Sequence, residues 1–242
     1  MTSPIYAIGD IHGQIGMLED ALVRIEKDGG ADARVVFLGD YTDRGPDSCG
    51  VIELLKQGKS EGRNWITLMG NHDRMFSMFM EDYPRNDDQL LVGYHWLHPR
   101  IGGVETLASY GVNVADGDRI FKVHARAQAA VPQHHRDFLA DLPNHHQEGA
   151  LLFVHAGIRP GIALHEQSEN DKIWIRQEFL KDQTRHPWLV VHGHTHVKQP
   201  EHHGNRVNLD SGAGFSRPLT AAVFEGRDCW VLTPEGRQAL EP

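Results

Sequence analysis

Cysteine is nearly missing from this chain. Its two cysteines, Cys49 and Cys229, stand 180 positions apart in 242 residues and in no metal-ligand spacing. That excludes a secreted disulfide framework, and a reducing cytoplasm is the expected compartment. Long apolar runs are missing too. No stretch approaches about 18 consecutive apolar residues, so no membrane-spanning helix is expected. Met1 to Ile8 lacks the basic region and long apolar segment of an export signal. Positive charge is in deficit: 24 Lys and Arg stand against 33 Asp and Glu, a net charge of −9. A chain so charged has no general basic face for a nucleic-acid backbone, although a local cationic pocket is compatible with it. No repeat, low-complexity tract or linker-like composition divides the chain. At this length one domain buries about 70 to 75% of the surface its unfolded chain exposes, enough for a core without staples. A single domain over residues 1–242 is expected.

Histidine is present in excess, at 17 residues. Three pairs, His134 and His135, His145 and His146, and His202 and His203, lie in polar, turn-rich stretches and read as solvated loop or helix surface. His12, His72, His155, His194 and His196 differ, because each follows a short apolar run and is set among Gly, Asp or Asn. The N-terminal third reads as strands at 5–8, 35–38 and 65–68 alternating with helices. One helix carries Met17, Leu18, Ala21, Leu22 and Ile25 at helical spacing, and the other covers 48–57. Near-continuous apolar strands alternating with helices indicate a sheet buried on both faces. Over 80–148 the pattern changes to helical segments broken by Pro and Gly, strongest at 104–110 and 133–142, with no clear strand. This stretch is expected to be a helical insertion. Strand signals return at 151–154, 189–191, 206–209, 219–224 and 230–232.

The strand ends carry the chemistry. The first three strands run into Gly9-Asp10-Ile11-His12-Gly13, Gly39-Asp40-Tyr41-Thr42-Asp43-Arg44-Gly45 and Gly70-Asn71-His72-Asp73. Two later strands run into His155-Ala156-Gly157 and His192-Gly193-His194-Thr195-His196. In open α/β sheets ligands bind beyond the carboxyl ends of the strands, so these loops converge. A Gly-Asp or Gly-Asn pair after one strand is ordinarily a turn; five such loops in order are not. Carboxylate, imidazole and amide oxygen together suit Mn, Fe, Zn or a similar divalent ion, and the set contains no cysteine. Asp10, His12, Asp40, Asn71, His155 and His194 are more ligands than one tetrahedral ion uses, and match two ions sharing a bridging carboxylate.

The order GDIHG, GDYTDRG, GNHD, HAG, GHTH resembles the metallophosphoesterase superfamily, and within it the bacterial, bacteriophage-lambda-like serine/threonine phosphatases of the phosphoprotein phosphatase type. Residues 103–111, 155–160, 174–176 and 208–213 resemble stretches of the bacterial members, so the likeness spans nearly the whole chain. The resemblance implies a calcineurin-like four-layer α/β/β/α sandwich with a dimetal centre at its edge. It implies that Asp10 and His12 bind one metal, that Asp40 bridges, and that Asn71, His155 and His194 bind the other. His196 is a further candidate ligand, because the second histidine of a G-H-x-H loop binds metal in the wider superfamily; His192 is expected to be structural. Mn2+ is the expected metal, with Fe, Zn, Mg or Ni as alternatives. Arg44 and Arg176 resemble the phosphate-binding arginines, His72 the general acid and Asp43 the carboxylate that orients it. The nucleophile implied is a water or hydroxide activated between the metals, with no covalent phosphoenzyme.

Asp73 stands where eukaryotic relatives commonly carry Glu and is left outside the catalytic set. Cys49, Tyr94 and Trp96 read as packing residues. Phe215 and Arg217, in the segment 211–218 that flanks the metals in the family, are candidates to touch substrate. The substrate expected is a phosphoprotein or phosphopeptide carrying phosphoserine or phosphothreonine, with phosphotyrosine and aryl phosphates as further candidates, and with no nucleic-acid or membrane partner. The alternative is symmetrical hydrolysis of diadenosine tetraphosphate, ranked second because those hydrolases depart from the Asp43-Arg44-Gly45 pattern. A metal-binding module without catalysis is the reading from a different class.

Overall fold

A computed structural model describes residues 3–242; Met1 and Thr2, which begin the expected domain, lie outside the described residues. The chain starts by alternating strand and helix through β1 (Ile5–Ile8), α1 (Ile15–Gly29), β2 (Arg34–Phe37), α2 (Ser48–Ser60), β3 (Trp65–Thr67) and α3 (Asn71–Phe79). Next, α4 (Gly103–Ser109), α5 (Ile120–Ala130) and α6 (Gln133–Ala140) lead to β4 (His145–Glu148) and β5 (Leu151–Val154). Two short helices, α7 (Glu169–Trp174) and α8 (Gln177–Leu180), precede β6 (Leu189–His192), β7 (Glu201–His202) and β8 (Arg206–Asn208). Last come β9 (Ala221–Glu225), β10 (Asp228–Thr233) and β11 (Gly236–Ala239).

The strands form two sheets, ordered β11-β10-β9-β1-β2-β3 and β4-β5-β6-β8-β7. In the first, β1, β2 and β3 are parallel and β9 joins β1 antiparallel; in the second, β5, β6 and β8 are parallel. Side chains alternate across a strand, and the buried residues divide accordingly. Ile5, Ala7, Val36 and Leu38 face Leu151, Phe153, Leu189, Val191, Val207 and Leu209, which is the core between the sheets. Tyr6, Ile8, Val35 and Phe37 point the other way, onto Leu18, Ala21 and Ile25 of α1 and Val51, Ile52 and Leu55 of α2. Leu152, Val154 and Val190 likewise meet Ile175 beside α7 and Phe179 of α8. Three apolar layers between four layers of structure make the α/β/β/α sandwich, as expected.

Several elements differ from the sequence expectation. The Gly70-Asn71-His72-Asp73 motif is the first turn of α3: Gly70 is its N-cap, and Asp73 Oδ2 accepts the Gly70 N–H at 3.1 Å. The stretch 80–148 ends in a strand. His145 and His146 are not loop or helix surface, but pair in β4 opposite Val154 and Phe153. A four-residue edge strand reading His-His-Gln-Glu has no apolar alternation to reveal it. His135 is buried at 1% exposure, and His202 lies in the two-residue β7. No helix among the described residues is long and apolar enough to cross a membrane.

Candidate metal centre

The residues that follow β1, β2, β3, β5 and β6 leave both sheets at one edge and bond to one another there. The Asp40 carbonyl accepts the N–H groups of Ile11 and His12 at 3.1 and 2.7 Å, which ties the first two loops together. Asp40 Oδ1 accepts the His72 N–H at 2.9 Å, and the Asp10 carboxylate accepts the His194 N–H at 3.0 Å. That last approach requires glycine before His194, because a Cβ on Gly193 would lie 1.9 Å from Asp10 Oδ1. Among the described residues, six other than glycine have positive φ: His12, Asp40, Asp43, Arg44, His194 and Ser216. Five of the six are expected site residues. Backbone strain of this kind persists only where surrounding contacts impose it, and it clusters at functional sites.

The donor set fits two cations. His12 Nδ1 donates to the Thr42 carbonyl at 2.8 Å and His155 Nδ1 to the Leu38 carbonyl at 2.9 Å, so both rings present a bare Nε2 to the centre. His155 Nε2 then faces two oxygens, Asn71 Oδ1 at 3.0 Å and Asp40 Oδ1 at 3.4 Å. A lone pair facing oxygen lone pairs is repulsive without a cation between them. Burial, the largest influence in each case, pushes the imidazoles of His12 and His194 down and that of His155 to about 4. All three are neutral and able to ligate. Burial and the neighbouring carboxylates Asp210 and Asp40 also raise the Asp10 carboxyl, so the centre disfavours negative charge that a bound cation would stabilise. Ligand atoms of His12, Asp40 and His72 lie within 4.8 Å of one another, as do those of Asp40, His155 and His194. Asp40 is common to both groups. Asn71 joins the second group through Oδ1, 2.8 Å from His194 Nδ1.

Next to these side chains stands a buried His–Asp pair. His72 Nδ1 and Asp43 Oδ2 are 2.6 Å apart. Burial drives both toward neutrality, the Asp43 carboxyl up and the His72 imidazole down, and the short contact lets the pair hold one proton between them. Arg44 reaches across, donating from Nη1 to His12 Nε2 at 2.8 Å and from Nη2 to His72 Nε2 at 3.0 Å. Arg176 is exposed at the rim, donates to Thr195 Oγ1 at 3.1 Å, and lends its charge to Asp40 and Asp10. His196 stands apart from the buried set. It is exposed and packs on Phe215, with ring centroids 4.8 Å apart. His192 ends β6, buried, its Nδ1 donating to the Gly193 carbonyl at 3.1 Å.

Three participants escaped the sequence reading. Trp96 Nε1 donates to the Asp43 carboxylate at 3.0 Å, and the Thr106 hydroxyl donates to Asp43 Oδ1 at 2.8 Å while lying 2.7 Å from the Asp43 N–H. Both come from the stretch between α3 and α5, at a spacing that no motif announces. Trp96 also packs between Phe76 and Phe79, at 5.0 and 4.6 Å between centroids, so its expected packing role is only half of what it does. The third is Asp210, two residues beyond β8, buried at 5% exposure and close enough to raise the Asp10 carboxyl. The strand-end rule applied to the other five loops would have found it. Trp96→Phe keeps an aromatic ring and deletes the hydrogen bond to the Asp43 carboxyl, so turnover is expected to fall about tenfold with KM little changed. Unchanged turnover would reduce Trp96 to packing alone.

A family model for calcineurin-like phosphoesterases matches residues 3–213, from β1 through the last of these loops. The chain is a calcineurin-like phosphoesterase. It is 26% identical, over 90% of its length and 89% of the relative's, to the asymmetrical bis(5'-nucleosyl)-tetraphosphatase PrpE of Bacillus cereus. A PrpE of the same description from Anoxybacillus flavithermus is 28% identical, with 90% and 89% covered. Among solved structures, a putative diadenosine tetraphosphatase superimposes with TM-score 0.66 at 23% identity, covering 96% of this chain and 93% of the other. The cold-active protein-tyrosine phosphatase of a Shewanella species superimposes at 0.64 with 15% identity, covering 100% and 81%. Both structures carry the same fold. This calcineurin-like phosphoesterase is therefore a metal-dependent hydrolase of phosphoesters.

Proposed function

We propose that the protein hydrolyses bis(5'-nucleosyl) tetraphosphates asymmetrically, releasing a nucleoside triphosphate and a nucleoside monophosphate. The observation that carries this reading is the likeness to the asymmetrical PrpE proteins, over 90% of this chain and 89% of theirs. It reverses the order expected from the sequence, where the Asp43-Arg44-Gly45 pattern put a phosphoprotein first, and it replaces symmetrical by asymmetrical cleavage. Asp10 and His12 would hold one divalent ion, Asn71, His155 and His194 the other, and Asp40 would bridge them. Bound there, two such ions would neutralise charge on the phosphoryl oxygens and lower the pKa of a water so that it is available as a hydroxide nucleophile.

The chain's own groups supply the rest. The Arg44 fork turns from His12 and His72 to two phosphate oxygens, and Arg176 holds the polyphosphate from the rim. With Arg44 turned away, His72 Nε2 is free to carry a proton to the departing oxygen, while Asp43 at Nδ1 supports the charged ring. Phe215 offers a surface for a base: the residue is 51% exposed, and its ring centroid lies 4.8 Å from the Arg44 guanidinium carbon, beside the proposed phosphate site. Stacking on an aromatic ring is worth about 1–3 kcal/mol per base. Phe215→Ala should accordingly raise KM for diadenosine tetraphosphate about tenfold and leave p-nitrophenyl phosphate unaffected.

Product analysis decides between readings. With Mn2+ present, diadenosine tetraphosphate should yield ATP and AMP. Two molecules of ADP would make the cleavage symmetrical, and turnover of phosphopeptides alone would return the protein to the lambda-like phosphoprotein phosphatase reading. One observation favours that second reading: the Asp43–His72 pair supplies the proton that a serine alkoxide requires and a departing polyphosphate needs less.

A further inference from the structure

A second cluster of ligand-type side chains bridges α2 and α6, separate from the two groups in the loops. Glu53 of α2 points its Oε2 at two imidazoles, 3.0 Å from His134 Nε2 and 2.7 Å from His135 Nε2. The other carboxylate oxygen, Oε1, has Lys56 Nζ at 3.6 Å. The two rings belong to adjacent residues and stand at 88° to each other, so their nitrogens converge from different directions on one point. His135 is locked in place, with 1% of its surface exposed and its Nδ1 2.8 Å from the Tyr110 hydroxyl. Anchoring of the nitrogen away from the ligand is what orients metal-binding imidazoles.

We propose that Glu53, His134 and His135 form a third cation site, which takes Zn2+ or a similar borderline divalent ion. Two imidazoles and one carboxylate are a common zinc donor set, completed by water. The charge states suit it: hydrogen bonds from both histidines hold the Glu53 carboxyl down at about 2, and burial pushes His135 toward its neutral form. Without an ion, the imidazoles donate N–H protons to the carboxylate. With one, His135 Nδ1–H donates to the Tyr110 oxygen and both Nε2 lone pairs turn to the cation. Ligands of tetrahedral zinc lie about 3.3 Å apart, so Oε2 must retreat by about half an ångström. Glu53, with its side chain 47% exposed, has room to do so.

Zinc is counted per chain by mass spectrometry after equilibrium dialysis at micromolar free Zn2+, for the wild type, Glu53→Gln and His134→Asn. Glu53 and His134 are chosen because they are not core residues, and thermal unfolding checks that each variant is folded. The wild type should hold one zinc ion more than either variant, and all three should hydrolyse p-nitrophenyl phosphate with Mn2+ at equal rates. Equal zinc counts would overturn the proposal and leave a hydrogen-bonded triad. A lower count accompanied by lost activity would also overturn it, since the missing ion would then belong to the centre at Asp40.

Discussion

Asp40→Asn is expected to lower metal content and turnover together, with turnover falling on the order of a hundredfold or more. Asp40 is the one residue in both groups of converging ligand atoms, 3.5 Å from His12 Nε2 through Oδ2 and 3.4 Å from His155 Nε2 through Oδ1. Asparagine keeps the shape and one oxygen, so the His72 N–H can still be accepted, but it removes the negative charge that two cations would share. A metal centre contributes several kcal/mol of charge stabilisation, and each 1.36 kcal/mol is a factor of ten in rate. Metal content and turnover on a phosphoester are both measured after dialysis against limiting Mn2+. A variant that retains two ions and turns over normally would remove Asp40 from the bridging position. Stability should move the other way. A buried carboxylate that burial and Asp210 push up costs the metal-free fold free energy, so metal-free Asp40→Asn should melt no lower than metal-free wild type.

Much of this architecture was legible in advance because two signals coincide in the parallel strands. Ile5–Ile8 and Leu151–Val154 are continuous apolar runs, buried throughout, and each ends in a turn rich in glycine and ligand-type residues. The first signal reports a strand covered on both faces, and the second reports which of its ends carries chemistry. Where one is missing, the sequence is mute. His145–Glu148 becomes a strand only because β5 offers it an edge, and α3 begins at Asn71 only because Asp73 caps it. The site divides in the same way. The proposed ligands in strand-end loops announce themselves, whereas Trp96 and Thr106 reach Asp43 from 53 and 63 positions away. Such contacts depend on how the stretch after α3 folds back over the centre. Substrate choice is less legible still, since the Asp43–Arg44 pair that suggested a phosphoprotein serves any phosphoryl group.

Loss of His72, the proposed proton donor, should separate substrates by their leaving groups. His72 sits 2.6 Å from Asp43 and 4% exposed, with Trp96 and Thr106 fixing the carboxylate from the far side. A pair so enclosed can deliver a proton to an oxygen departing from phosphorus while the carboxylate steadies the ring. General acid catalysis contributes about 100 to 10,000-fold when the leaving group is a poor one. Serine alkoxide is such a group; p-nitrophenolate is not, and neither is the triphosphate end of a nucleotide, which departs as a stabilised anion. His72→Asn should therefore reduce kcat on a phosphoserine peptide by about 100-fold or more. Its losses on p-nitrophenyl phosphate and diadenosine tetraphosphate should be much smaller. Asp43→Asn should follow the same order more weakly, because the imidazole remains. Equal losses across the three substrates would assign His72 to the metal site instead, a role its place within 4.8 Å of His12 and Asp40 permits. The size of the difference bears on the substrate as well. An enzyme that cleaves only nucleoside polyphosphates gains little from so well-buried a donor, so a large loss confined to phosphoserine would argue that alkyl phosphoesters are also turned over by this site.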